Sequence, residues 1–424
     1  MILAVNTSSP ELDHIAAGLA EARLLSVYVR PYANLERKWE QRFAHLPGLG
    51  RPFARYIGRR RMPRPLSIAH VREVAVILDF LRAAHARLPH SSFGYQDIRE
   101  LLSYALTRSV GQKSAGWLAD ERAVVASWGC AEPVFEKAKA KGILCVLNYP
   151  LAHHRFTRRY LLEEAEQQPT FADTLNSHQR PRWLERRFDV EIDLADRILV
   201  GSNFVRLSFI GEGVPPEKIV TIPYGTDTSL FEPPKNPRRQ IERLRLLFVG
   251  QIGQRKGISY LLEAMRQLQA QGDHLTAVGQ IQGNGQALAK YRHLFRHVPH
   301  LPRTELREVY RQADVFVFPT LVEGMPIAVL EAMASGLPVI TTPNGPGDVV
   351  RDGVDGFLVP PRDVDAIVEK LQTLRKDPDL RMEMSRNARQ RALEFTWQAY
   401  RTRTVELLRQ WINDPSNLGA GVLA

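Results

Sequence analysis

The sequence predicts an α/β protein with two parallel sheets, each covered by helices on both faces. Three observations carry this. Continuous apolar runs of strand length alternate with stretches of helical spacing, the pattern of strands buried on both sides. At 424 residues and 48.1 kDa the chain is too long for one ordinary core. A segment rich in proline and charge, "FEPPKNPRRQIER" (231–243), separates two such alternating regions. Together they give two doubly wound, Rossmann-like domains.

The second region has the clearer rhythm. "RLRLLFVGQ" (243–251), "LTAVGQ" (275–280), "DVFVFPT" (314–320) and "LPVITT" (337–342) read as strands. "GISYLLEAMRQLQAQG" (257–272), "ELREVYRQA" (305–313) and "PIAVLEAMASG" (326–336) read as helices. The first region repeats the pattern less regularly, with strands in "MILAVN" (1–6), "RLLSVYVR" (23–30), "AVVASWG" (123–129), "ILCVLNYP" (143–150), "RILVGSN" (197–203) and "KIVTIPYG" (218–225). "HVREVAVILDFLRAAHARL" (70–88) has helical spacing. The expected domains are 1–228, a linker at 229–243, and 244–394, with a closing amphipathic helix in 395–424 that packs back on the first domain.

Composition narrows the class. Hydrophobic content of 44% and charged content of 24% are those of a soluble globular protein. No window approaches the ~20 unbroken apolar residues of a membrane span. The start has no basic segment followed by an apolar run. Cys130 and Cys145 lack metal-site spacing and read as two core thiols in a reducing compartment, which points to the cytoplasm. The net charge of +11 suits anionic partners without choosing among them.

Two loops carry chemistry. In "LVEGMPIAVLEAMASGLPVITT" (321–342), Glu323 falls on a loop after a strand and Glu331 inside the next helix. Ligands of doubly wound domains bind at the carboxyl ends of strands. Gly324 allows close backbone approach, and Pro326 suits a first helical position. The free N–H groups of that helix entrance favour an anion. A carboxylate at Glu331 can accept from two vicinal hydroxyls, and Glu323 from others. The second loop, in "FVGQIGQRKGISYLL", sets Arg255 and Lys256 between Gly253 and Gly257, suited to a diphosphate.

These motifs resemble the family-4 retaining glycosyltransferases of the GT-B fold. The resemblance rests on "LFVGQIGQRKGISYLLEA", on "ELREVYRQADVFVFPTLVEGMPIAVLEAMASGLPVITT", on "PNGPGDVVRDGVDGFLVPPRD" and, more weakly, on "RILVGSNFVRLSFIGEGVPPEKIVTIPYGTDTSLF". It implies a glycosyltransferase of the hexosyltransferase type, moving sugar from a nucleoside-diphosphate sugar to a glycan or lipid-linked acceptor. Polysaccharide assembly in a bacterium is the implied setting. Glu331 would hold the donor ribose and Glu323 the transferred sugar. Lys256 and Arg255 would neutralise the diphosphate, with Gly324, Met325 and Pro326 against the sugar phosphate. On that division, the bare diphosphate binds independently of Glu323. Gln251 stands where many members carry arginine, and Pro299 where glycine is usual, so no preference for a base follows.

The first region matches poorly, as expected of an acceptor domain. His153, after the strand at 143–150, is the first candidate for the acceptor side, with His154 second and His14 third. Asn6 to Ser9 form the first strand-end loop and border the acceptor or the phosphates. Asp363-Val364-Asp365 and Asp377-Pro378-Asp379 match a metal-binding Asp-x-Asp pattern. Asp363 is better placed as a helix cap and Asp377 in a proline turn, so no metal and no other cofactor are expected. "RPFARYIGRRRMPRP" (51–65) interleaves arginines with apolar residues. It reads as an anionic-membrane surface, a nucleic-acid contact or plain solvated surface. The alternatives are a sugar-nucleotide-binding protein without turnover and, less so, a nucleic-acid-binding protein, although no nucleic-acid module is present. A nicotinamide enzyme would need Gly-x-Gly-x-x-Gly after the first strand, which is missing.

Overall fold

The structure, a computed structural model, describes residues 1–44, 50–58, 60–86, 95–175, 182–235 and 243–414. Among these, two parallel sheets form. The first holds β1 (Ile2–Val5), β2 (Leu25–Arg30), β3 (Val71–Glu73), β4 (Ala123–Ser127), β5 (Leu144–Asn148), β6 (Arg197–Val200) and β7 (Ile219–Thr221), in the order β3-β2-β1-β4-β5-β6-β7. The second holds β8 (Arg245–Val249), β9 (His274–Val278), β10 (Phe295–Val298), β11 (Val315–Phe318), β12 (Val339–Thr341) and β13 (Gly356–Leu358), in the order β10-β9-β8-β11-β12-β13.

The central strands explain the pattern read from the sequence. β1, β4, β5 and β11 are buried at every position, so each face of the sheet is covered and the runs are continuously apolar. The edge strands β3, β10 and β13 escaped the sequence reading. β10 is only half-buried and carries Arg296 and His297, and β3 is three residues long. The stretch 70–88, expected to be one helix, divides into β3 and a helix at Val76–His85.

The order of each sheet reverses once, between β1 and β4 and between β8 and β11. Crevices open at the carboxyl ends of strands at such points. The two crevices face each other. Ser202 Oγ, just after β6, donates to Gly324 O, after β11, at 2.7 Å. A Cβ on Gly324 would lie 1.7 Å from Pro150 O, so only glycine admits this approach of the second unit to the loop after β5.

The chain crosses between the sheets after β7. Of the expected linker, 236–242 lies outside the described residues. It returns through the helix Trp397–Asn413, which packs against the helix Pro10–Glu21 of the first unit. Trp397 stacks on His14 at 3.8 Å, and Arg401 Nη1 donates to Glu21 Oε1 at 2.5 Å. His14 Nδ1 accepts from Arg401 Nη2 at 3.1 Å. His14 therefore braces the closing helix.

Burial, followed by the charges of Arg401 and Arg303, lowers the His14 pKa from 6.5 to about 3. An unfolded histidine takes up its proton near pH 6.5, while folded His14 resists until about pH 3. Unfolding therefore binds a proton across that interval. Stability is full above the upper value and declines as pH falls towards the lower one. His14→Phe keeps the stacking surface without the titration. Its melting temperature should fall less steeply than that of the wild type between about pH 6.5 and 5; parallel slopes would exclude His14 as a source of acid sensitivity.

Candidate active site

The loop after β8 turns sharply. Gln254–Lys256 form one 3₁₀ turn, closed by Gly257 at φ 69°. A Cβ on Gly257 would meet Pro319 O at 1.9 Å, so the turn lies directly against the end of β11. Leu321 N donates to Arg255 O at 3.0 Å, joining the loops on the two sides of the crevice. Arg255 and Lys256 are thus fixed by backbone beside Glu323.

Glu323 Oε2 accepts from Arg255 Nη1 at 3.0 Å and also pairs with Lys256 Nζ. Arg255 Nη1 donates further to Val322 O at 2.9 Å. Burial lowers the Arg255 guanidinium to about 10. Burial, followed by repulsion from Arg255, pushes the Lys256 ammonium well below its ordinary range. The arrangement sets two cationic side chains and one carboxylate together at the wall of a cavity.

Glu331 lies in the helix Ile327–Ala334, which Pro326 precedes as N-cap and does not enter. Its Oε1 accepts from Arg303 Nη2 at 3.0 Å and its Oε2 from Tyr310 OH at 3.1 Å. Burial raises its pKa, against the pull of Arg303 and Tyr310. Glu331 is a buried carboxylate held by two donors, with lone pairs left for further hydroxyls. Neither donor was singled out in the sequence; Arg303 and Tyr310 come from the helix Arg303–Gln312, which reaches Glu331 only through packing.

A cavity of about 190 Å³ lies between the two units, lined among others by Trp128, Tyr149, His154, Gln251, Arg255 and Lys256. Gly253 also lines it. The sequence placed His153 first on the acceptor side; in the structure His154, not His153, lines this cavity. His153 is the N-cap of the helix His154–Gln167, its Nδ1 accepting from Arg155 N at 3.2 Å. Its ring lies edge-on to Phe209, and it lines a separate surface cavity with Asp193 and Lys218. His154, one residue on, faces the cleft. Its Nε2 lies 3.0 Å from Asp189 Oδ1 without hydrogen-bond alignment. Burial lowers its pKa, so the ring is a neutral base at pH 7.

Gly324 and Met325 also take part in the contact between the units. Both face the first unit, Gly324 through Pro150 and Met325 through Gly201. Asn6 Oδ1 accepts from Ser8 N and Ser9 N, and its Nδ2 donates to Ser9 O, so Asn6 shapes its own loop. Asp363 and Asp377 cap helices, accepting from Ala366 N and Leu380 N at 2.8 Å each. Cys130 and Cys145 are buried free thiols. Among the described residues, His153, His154 and Asp189 could hold a metal ion, their ligand atoms lying within 4.8 Å of one another. Arg155 Nη2 competes for the same carboxylate at 2.9 Å.

Residues 232–391 match the family model of glycosyl transferases group 1. That segment belongs to this family. It covers β8 to β13 and therefore both loops of the crevice. Among curated proteins, the chain is 32% identical over 209 residues to the MMP alpha-(1->4)-mannosyltransferase of Mycolicibacterium hassiacum, covering 47% of this chain and 50% of that protein. It is 30% identical over 193 residues to the UDP-Gal:alpha-D-GlcNAc-diphosphoundecaprenol alpha-1,3-galactosyltransferase of Escherichia coli, covering 42% and 50%. The chain thus spans about half the length of these curated relatives. Sucrose-phosphate synthase from Thermosynechococcus elongatus superposes with a TM-score of 0.62 at 19% identity, covering 96% of this chain and 98% of that one. HepE of Anabaena, solved with UDP and glucose, also gives 0.62, at 15% identity and covering 96% and 99%. The fold is GT-B.

In this group 1 domain, Glu323 compensates the buried Lys256 and the half-buried Arg255. Removing one partner of a buried pair costs about 3–5 kcal/mol. Glu323→Gln should lower stability by about 3 kcal/mol near pH 7 in denaturant titration. A loss below about 1 kcal/mol would show that Arg255 and Lys256 do not depend on this carboxylate.

Proposed function

We propose that the protein is a retaining glycosyltransferase that moves a sugar from a nucleoside-diphosphate sugar to a glycan or lipid-linked acceptor, in bacterial polysaccharide assembly. One observation carries the reading: Lys256, buried, and Arg255, half-buried, stand at the carboxyl edge of a parallel sheet and share one carboxylate. Two cations so placed suit a diphosphate. The relatives named for mannosyl and galactosyl transfer, and the neighbour solved with UDP and glucose, support the same chemistry.

In the proposed reaction, Arg255 and Lys256 bind the diphosphate and stabilise the charge that develops as it leaves. Glu331 holds the ribose hydroxyls, beside Tyr310. No enzymic nucleophile is invoked; departure and attack share one face, and the leaving phosphate helps to take the acceptor proton. His154, not His153, offers a neutral imidazole to the acceptor side. No metal is required.

Calorimetry with a panel of nucleoside diphosphates and their sugars tests the donor site. Lys256→Ala and Glu331→Ala should weaken the diphosphate about ten- to a hundredfold. Glu323→Gln should do the opposite. In the unliganded protein Glu323 competes for both cations, so its neutralisation should tighten the bare diphosphate while transfer falls. This revises the independence expected from sequence. Transfer should persist with excess chelator, and NMR of the product should show retained anomeric configuration. Failure of every nucleoside diphosphate to bind would overturn the proposal.

A membrane-facing role rests on apolar surface rather than on arginines. The side chains of Arg51, Arg55 and Arg59 lie outside the described residues. Arg60 binds Asp79 through Nε at 2.6 Å, and Arg61 pairs with Glu36 at 2.5 Å. Yet Trp39, Phe43 and Phe80 remain about two-fifths to one-half exposed in one aromatic cluster with Phe53. No helix among the described residues is long and apolar enough to cross a membrane. We place this face against the inner surface of the cytoplasmic membrane. The triple variant Trp39→Ser, Phe43→Ser, Phe80→Ser should bind anionic vesicles about tenfold more weakly. Unchanged vesicle binding would remove the membrane role.

A further inference from the structure

The helix His154–Gln167 belongs to the first unit, yet near its far end it is held by the second. Glu164 is fully buried. Its Oε1 accepts from Gln254 Nε2 at 2.6 Å and from Tyr260 OH at 2.8 Å. Its Oε2 accepts from Arg362 Nε at 2.7 Å. All three donors come from the second unit, and a carboxylate so enclosed is costly unless each contact is made.

One of these donors has a special place. Gln254 immediately precedes Arg255 and Lys256 in the 3₁₀ turn that presents them. Its backbone N–H donates to Thr174 Oγ1, also of the first unit, at 2.9 Å. Its side-chain Oε1 accepts from Ser259 N at 3.2 Å. The cation turn is therefore gripped from the first unit through both side chain and backbone of one residue. At the near end of the same helix stands His154, lining the cleft cavity with Arg255 and Lys256. Ten residues of helix separate Glu164 from His154, about 15 Å of rigid rod.

We propose that Glu164 is a positioning residue: it latches the acceptor-side helix onto the cation turn when the two units close. The inference rests on the donor reading above for its effect on transfer, and on geometry alone for closure. Closure is completed only when Gln254, Tyr260 and Arg362 all reach the carboxylate. That contact sets His154 against the diphosphate cations. Without the latch, the second unit keeps its anion site, but the acceptor side is no longer held in register. Near-attack geometry tolerates little displacement, so turnover suffers more than binding.

The test uses the full chain, with Glu164→Ala, Glu164→Gln and, from the other side, Tyr260→Phe. Inorganic pyrophosphate is the probe of the cation turn, read by calorimetry. Spin labels at the exposed positions of E217C and E369C read the separation of the two units. Glu164→Ala should broaden and lengthen the label distances and lower kcat at least about tenfold, while the pyrophosphate Kd stays within about threefold. Glu164→Gln retains an oxygen for Gln254 and Tyr260 but loses the charge facing Arg362, so it should fall between wild type and alanine. If Glu164→Ala does not fold, Glu164→Gln and Tyr260→Phe carry the same comparison with smaller effects. Unchanged label distances would overturn the latch. So would pyrophosphate affinity that falls in parallel with turnover, because Glu164 would then shape the anion site itself. Absence of any transfer by the wild type would sink the donor reading instead, and the label distances would still decide the latch.

Discussion

Two cations side by side, Lys256 buried and Arg255 half-buried, are unstable neighbours, and much of the second unit is arranged around keeping them there. The parallel sheet supplies the place, because its order reverses between β8 and β11 and leaves a crevice. Gly257 permits the turn, since no side chain fits against Pro319 O. Glu323 supplies the counter-charge from the opposite lip.

The same crevice depends on the first unit. Gly324 admits Pro150, Ser202 holds the Gly324 carbonyl, and Glu164 accepts three donors from across the cleft. One apolar core cluster runs through both units, while a second is confined to the first. The closing helix Trp397–Asn413 adds a brace on the outer side, where it packs on Pro10–Glu21. Burial between the units is therefore not incidental to the site. It buries Lys256, and it sets which of two adjacent histidines lines the cavity with the cations.

Legibility followed burial. β1, β4, β5 and β11 were readable because strands covered on both faces are apolar throughout. β3 and β10 were not, because edge strands need no such pattern. Glu323, Glu331, Arg255 and Lys256 stood out because charged residues flanked strand-length apolar runs and glycines. Glu164 did not, because "LLEEAEQQ" looks like the solvated end of a helix. Its burial is conferred by residues 90, 96 and 198 positions away.

By itself, the sequence determined the two parallel α/β units, the two strand-end loops and the capping role of Asp363. These are local matters, governed by periodicity, turn chemistry and helix ends. Only the tertiary structure decided that Glu323 neutralises both cations, that Gly324 serves the contact between units, and that His154 replaces His153 in the cleft. A side chain's direction at a helix start depends on what packs around it. His153 is drawn to Phe209 and to the N–H of Arg155, and this leaves its neighbour to face the cavity.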